Sequence, residues 1–403
     1  MQYDFTTILD RHGKDAMAVD GVGKAPGMSP EPPKEGFDLL PMWVADMNFA
    51  TVPTIPKALA ERAAHPLYGY FRPTDAYFDA IINWHRTQNG VENLTRADIG
   101  YENGVLGGVV SALNVFCSRG DNVLLLSPTY IGFTISLENN GYHIVLSPMT
   151  MDENGIWRMN FADMEQKLAS KKIHAAVVCS PHNPTGRVWE RWELEQMMEL
   201  FRKYDVMVVS DEIWSDLTMP EYQHIPTQSV SADARERTVA LYAPSKTFNL
   251  AGLIGSYHII YNPTLRDRVR KESSTSHYNG MNVLSMHALI GAYTDEGREW
   301  LVQLREVLKK NIDTVAAFLH ENVPDVHFAV PQGTYMMFLD CTDYCARHGL
   351  TIDTILRRGW DVGVAWQTGR PFHGPCHIRA NLALPHSQVL KACERMKRYV
   401  FCD

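Results

Sequence analysis

The sequence predicts an α/β protein: a mostly parallel central sheet in a large domain, joined to a smaller α+β domain. Three observations lead there. Short apolar, β-branched runs alternate with amphipathic stretches from about residue 100 to residue 262, those runs are continuous rather than alternating in polarity, and after residue 282 long helical patterns take over. Continuous apolar runs bounded by turn residues mark strands buried on both faces, which is what a parallel sheet covered by helices requires.

Residues 21–36 are rich in Pro and Gly and read as an extended surface entry to the fold, not as a domain. The strand candidates of the large domain are 122–127, 143–146, 174–180, 206–210, 239–242 and 257–261, with an amphipathic helix at 191–204. Helices are expected over 283–293 and 296–321, followed by strands at 326–330, 334–339 and 377–382. These elements divide the chain into a large domain over 50–285 and a small domain made of 1–49 plus 286–403. The methionines at 197 and 198 fall on the apolar face of their helix and read as core.

With 403 residues, 45% of them hydrophobic, the chain is long enough for two sizeable cores. Lys and Arg total 38 against 46 Asp and Glu, a formal charge of −8 that offers no basic excess for nucleic acid or an anionic membrane. The N-terminus has no basic segment followed by an apolar one, and no stretch approaches the roughly 20 apolar residues of a membrane span. A soluble, cytoplasmic protein is expected. Seven scattered cysteines, an odd number in a large chain, argue against a disulfide framework, and the Cys341/Cys345 pair reads as reduced thiols rather than a zinc site.

The chemistry lies at the ends of the predicted strands. Ser180-Pro-His-Asn-Pro-Thr-Gly186 follows one, Ser210-Asp-Glu-Ile-Trp214 a second, and Ala243-Pro-Ser-Lys-Thr-Phe-Asn249 a third. An amide, a carboxylate and an amine from three strand ends of one sheet suit pyridoxal phosphate. The amine forms a Schiff base with the aldehyde, and the carboxylate keeps the pyridine nitrogen protonated, which makes the ring an electron sink.

In order and spacing these segments resemble the fold type I pyridoxal phosphate enzymes of the aspartate aminotransferase class, a PLP-dependent transferase-like fold. Met42-Trp-Val-Ala-Asp-Met-Asn-Phe49, Tyr68-Gly-Tyr70, Ala243 to Leu253 and Pro331-Gln-Gly-Thr-Tyr-Met-Met-Phe-Leu-Asp340 are similar to the MalY/PatB branch, the cystathionine β-lyase-like C–S lyases. The resemblance runs from about residue 40 to the C-terminus.

It implies roles residue by residue. Lys246 would bond the cofactor and then remove the Cα proton, Asp211 would pair with the pyridine nitrogen, and Asn183 would donate to the ring's phenolic oxygen beside the substrate. The N–H groups of Val105 and Leu106, at a Gly-rich helix entry, would hold the phosphate with the Ser245 hydroxyl. Tyr70, with Tyr68 as the alternative, would reach the phosphate of a neighbouring subunit in a homodimer with shared active sites, or serve only in packing. Tyr130 would stack on the pyridine ring or pack in the core. Arg379, on an apolar strand, would grip the α-carboxylate of an amino-acid substrate through its planar fork, a structural salt bridge being the competing reading.

Three departures from the family pattern stand out. Trp214 takes a position where Tyr or His more often donates to the cofactor oxygen, and Ala243 one where a phosphate-binding Ser is common. The third is Asn381-Leu-Ala-Leu-Pro385, accompanied by Asn48 in place of an acidic residue. The named residues serve β-elimination and transamination equally. The MalY/PatB-like segments favour C–S β-lysis, with an aminotransferase as the second reading and a non-catalytic regulatory protein as the third.

Overall fold

The computed structural model describes residues 1–275 and 279–402. Its centre is a seven-stranded sheet with strands in the spatial order Ile99–Glu102, Ser256–Ile259, Thr238–Tyr242, Met207–Asp211, Ile173–Cys179, Asn122–Ser127 and His143–Pro148. The last five run parallel, while Ser256–Ile259 is antiparallel to both its neighbours. All six strands expected of the large domain are present, 122–127 with the same ends and the others with ends moved by one or two residues. The edge strand Ile99–Glu102 is the addition. It is only four residues long and contains Gly100, where a Cβ would lie 2.2 Å from Nε2 of His258 on the next strand, so its pairing depends on a residue with no side chain.

Side chains alternate between the two faces of the sheet, and each face finds its own helices. Val123, Leu125, Val177 and Val209 pack with Val109, Ala112 and Leu113 of helix Val105–Phe116. Leu124, Leu126, Val178 and Val208 turn the other way, toward Met164 and Leu168 of helix Phe161–Ser170 and Leu194, Met197, Met198 and Phe201 of helix Arg191–Lys203. Burial of Met197 and Met198 contributes roughly 1.5–3 kcal/mol each. Helix Arg191–Lys203 starts where a capping box allows it: the Glu190 backbone N–H donates to Glu193 Oε2 at 2.9 Å.

The long helices lie at Val283–Ala292 and Asp295–Asn322, the second capped by Thr294, whose Oγ1 accepts from the Gly297 N–H at 3.0 Å. Beyond them a three-stranded antiparallel sheet sets His377–Asn381 between Met336–Asp340 and Gln367–Thr368. The expected strand at 326–330 is not formed. Only His327 bridges, to Asp340, because the chain then turns away: the N–H groups of Gln332 and Gly333 donate to Gly186 O and that of Thr334 to Leu217 O. Among the described residues no helix is long and apolar enough to cross a membrane.

Because the five parallel strands share a direction, their carboxyl ends open onto one edge of the sheet, where ligands of such folds sit.

Candidate active site

A cavity of about 220 Å³ occupies that edge. The loop after Ile173–Cys179 brings Asn183 to it, strand Met207–Asp211 delivers Asp211 and then Trp214, and the loop after Thr238–Tyr242 supplies Ser245 and Lys246. Tyr130, just past Asn122–Ser127, closes one side. Helix Val105–Phe116 starts at the cavity, so the unpaired N–H groups of its first turn lie at Val105 and Leu106. Gly104 precedes them with φ +82°, a conformation that a side chain would oppose.

Burial dominates the electrostatics. The Asp211 carboxyl is pushed up to about 7 by desolvation, against which the Ile213 N–H at 3.0 Å and the Lys246 charge work only in part. Burial, then the charge of Arg379, brings the Lys246 amine down to about 8, with Asp46 and Asp211 opposing. Lys246 Nζ donates to the Ala45 carbonyl at 2.8 Å. At neutral pH roughly a tenth of such amines are neutral and able to accept a proton.

Arg379 is buried within reach of the cavity: its Nη1 donates to Asn183 Oδ1 at 3.3 Å. Nη2 donates to the Trp43 carbonyl at 3.0 Å and to Gln367 Oε1 at 2.7 Å, and the ring of Phe372 lies 4.2 Å beneath the guanidinium. Nε is buried with no hydrogen-bond partner. Burial brings the guanidinium down to about 10, so the group is still charged at neutral pH, and no carboxylate of the chain pairs with it among the described residues. A buried cation with a spare donor and no counter-ion suits an anionic ligand.

The expected residues therefore converge, apart from one. Lys246, Asp211, Asn183, Tyr130, Val105, Leu106, Ser245 and Trp214 line one cavity, and Arg379 joins it through Asn183. Tyr70 lies fully exposed on the loop before helix Asp75–Asn89 and does not line the cavity of its own chain. Tyr68 is engaged locally: its hydroxyl donates to Ala63 O at 2.7 Å and its ring carries the Arg62 guanidinium at 5.1 Å. Trp214 sits edge-on to Tyr335, centroids 4.8 Å apart, with Lys246 Nζ 5.6 Å from its ring.

Sequence reasoning passed over Gln367, the Trp43 and Ala45 carbonyls, and Arg11. A glutamine directly after the short apolar run 364–366 was a legible signal, since a buried amide needs partners. The carbonyls carried none, because every residue has one. Asn48, noted for not being acidic, accepts from Arg11 Nη1 at 2.8 Å.

The cavity fits pyridoxal phosphate by its donor set. A buried amine, a carboxylate with a single N–H partner, and a helix start with free N–H groups answer the aldehyde, the ring nitrogen and the phosphate. Fold and site together define a class, and the chain belongs to the aminotransferase class I and II family, whose model matches residues 39–396. Within that class it is 33% identical over 356 residues to cystathionine beta-lyase PatB of Bacillus subtilis, covering 88% of this chain and 89% of that protein. Two solved structures agree. The pyridoxal-phosphate-bound C–S lyase of Staphylococcus hominis superposes with a TM-score of 0.86 at 28% identity, over 98% of each chain. Cystalysin of Treponema denticola, which contains the same cofactor, gives 0.89 at 28% identity over 99% of this chain and 98% of its own.

Proposed function

We propose that this chain is a pyridoxal-phosphate-dependent C–S β-lyase, which converts a cystathionine- or cysteine-type amino acid and water to a thiol, pyruvate and ammonium. The observation that carries it is the convergence of Lys246, Asp211 and Asn183 on one cavity with the unneutralised Arg379 at its rim. The likeness to PatB and to C–S lyases supports lysis over transamination.

Bound pyridoxal phosphate supplies an electron sink for the charge left at Cα when its proton is removed. Asp211, poorly compensated for its burial, becomes a stable carboxylate when a cationic ring nitrogen faces it, and so holds that nitrogen protonated. Val105 and Leu106 N–H groups with the Ser245 hydroxyl hold the phosphate, and Tyr130 and Trp214 bound the ring. Asn183 and Arg379 orient the substrate, Arg379 by its spare donors to the α-carboxylate. Lys246, with its pKa brought down to about 8, accepts the Cα proton at Nζ.

Exposed Leu67, Tyr68 and Tyr70 form an apolar loop that a second copy of the chain would cover, bringing Tyr70 to the neighbour's phosphate. A homodimer with shared sites, a division into domains 50–285 and 1–49 plus 286–403, and a cytoplasmic setting complete the reading. The seven free thiols suit that setting.

The test is to incubate the protein with L-cystathionine or L-cysteine, with and without a 2-oxo acid, and to quantify ammonia, pyruvate and thiol. Equal ammonia and pyruvate, independent of the oxo acid, is the expected outcome. Amino transfer that requires the oxo acid would instead establish the aminotransferase reading, which the family match also allows.

A further inference from the structure

The segment Trp43 to Asn48 straps the two halves of the site together through its backbone. The Trp43 carbonyl accepts from Arg379 Nη2 at 3.0 Å and the Ala45 carbonyl from Lys246 Nζ at 2.8 Å. On the arginine side, Asn381 Nδ2 donates to the carbonyls of Val44 and Asp46, each at 2.6 Å, and the Asn48 N–H donates to Ala383 O at 2.9 Å. On the lysine side, Asn249 Oδ1 accepts from the Met47 N–H at 3.0 Å while its Nδ2 donates to Met47 O at 2.9 Å. The strap thereby sets where the amine stands relative to the guanidinium.

Arg11 holds this strap from the outside. Its Nη2 donates to Asp46 Oδ2 at 2.6 Å, and its Nη1 to Asp46 Oδ1 at 3.3 Å, Asn48 Oδ1 at 2.8 Å and Met47 O at 3.4 Å. The Arg11 and Asp46 side chains are 18% and 17% exposed, and neither lines the cavity. A two-point grip on a carboxylate, extended to a neighbouring amide and carbonyl, fixes geometry in a way that a single exposed ion pair does not. It also accounts for Asn48, whose neutral oxygen occupies a donor of the fork without adding a second negative charge.

We propose that Arg11 is a positioning residue for the reaction: by clamping Asp46, Met47 and Asn48 it fixes the Ala45 and Trp43 carbonyls, and through them the Lys246 amine and the Arg379 guanidinium. The inference rests on the roles of Lys246 and Arg379 given under the proposed function. Asp46 is also among the charges that support the protonated Lys246 amine against burial, so the clamp bears on the field at Nζ as well as on its place.

The experiment compares wild-type holoenzyme with Arg11→Met, Arg11→Lys, Asp46→Asn and the Arg11→Met/Asp46→Asn double variant, with Lys246→Ala as a control. kcat and KM for L-cystathionine are measured per bound cofactor, with Tm, cofactor content and the change in cofactor absorbance on adding amino acid. Arg11→Met should lower kcat about ten-fold and raise KM several-fold while Tm and cofactor content stay near wild type, since misplacement by a fraction of an ångström costs rate. Arg11→Lys should recover part of the loss, and the double variant should be no worse than the single ones. Unchanged kcat and KM in Arg11→Met would overturn the proposal. So would a loss confined to Tm, or failure of both Arg11→Met and Asp46→Asn to fold, because the clamp would then be structural. Full turnover in Lys246→Ala would sink the proposed function instead, whatever Arg11 does. Should the wild type prove not to be a lyase, the absorbance change on amino-acid binding reads the same positioning.

Discussion

Asp211 and Glu212 are adjacent in the chain and both are buried, yet they sit in opposite electrostatic worlds. Glu212, the residue after strand Met207–Asp211, sits away from the cavity in a closed set of donors. Its Oε1 accepts from Ser210 Oγ at 2.8 Å and the Thr227 N–H at 3.0 Å, and its Oε2 meets His224 Nε2 at 2.7 Å and the Tyr242 hydroxyl at 2.6 Å. Burial alone would raise its pKa, but His224 and these hydrogen bonds outweigh it and hold the carboxyl below its ordinary value. Asp211 has one N–H partner and faces the cavity, so burial wins and its carboxyl rises to about 7. The buried carboxylate that the chain fails to satisfy is the one left for a ligand.

Four measurements would sharpen or break that contrast. Lys246→Ala should have the largest effect, abolishing turnover and the absorbance of covalently held cofactor, and full activity in this variant would refute the mechanism. Next, Asp211→Asn should leave the cofactor-free protein at least as stable as wild type while weakening pyridoxal phosphate binding. Glu212→Gln should do the reverse, losing about 3 kcal/mol of stability by breaking a buried pair while folded protein keeps its activity. Equal behaviour of the two variants in cofactor titration and thermal melts would erase the distinction. Arg379→Ala should raise KM for amino acids by about ten- to a hundred-fold, the worth of a charge-assisted contact of about 1.5–3 kcal/mol. An unchanged KM would move carboxylate recognition elsewhere.

The smallest effect concerns pH. Between the ordinary carboxyl value of 3.8 and about 7, native Asp211 holds a proton that the unfolded chain has lost, so it makes the cofactor-free protein less stable as pH rises through that window. Lys246, brought down from 10.5 to about 8, gives the opposite slope between those values: the native state holds fewer protons, and stability rises with pH. Denaturant melts of cofactor-free wild type and Asp211→Asn across pH 4 to 7 should differ in slope. Identical slopes would show that Asp211 is not the poorly compensated group.

The strand ends and the residues on them were legible because local pattern decides them: an apolar run fixes a buried strand, and the polar residue after it must emerge at the sheet edge. That pattern brought the segments holding Lys246, Asp211 and Asn183 into view, and the family resemblance assigned the three their roles. What stayed hidden depends on partners distant in the chain. Nothing near Ser210-Asp-Glu212 says which carboxylate will meet His224 and Tyr242, nor does the run at 326–330 reveal that Gly186 and Leu217 will draw off the N–H groups of residues 332–334. The edge strand went unread for the same reason, since its Gly100 is explained only by His258 lying over it from a strand more than 150 residues on. Arg11 was unreadable for the same reason, since its carboxylate partner lies 35 residues on.

Lys246 and Arg379 are both moored to peptide carbonyls, at Ala45 and Trp43. Those moorings are invisible to alanine scanning, because a change of side chain that keeps the path of the chain leaves each carbonyl in place. Their loss would require an edit to the main chain itself, such as replacing an amide by an ester or shifting the segment by an inserted residue. An inserted residue here would therefore displace the amine and the guanidinium together, whichever side chains the stretch carries.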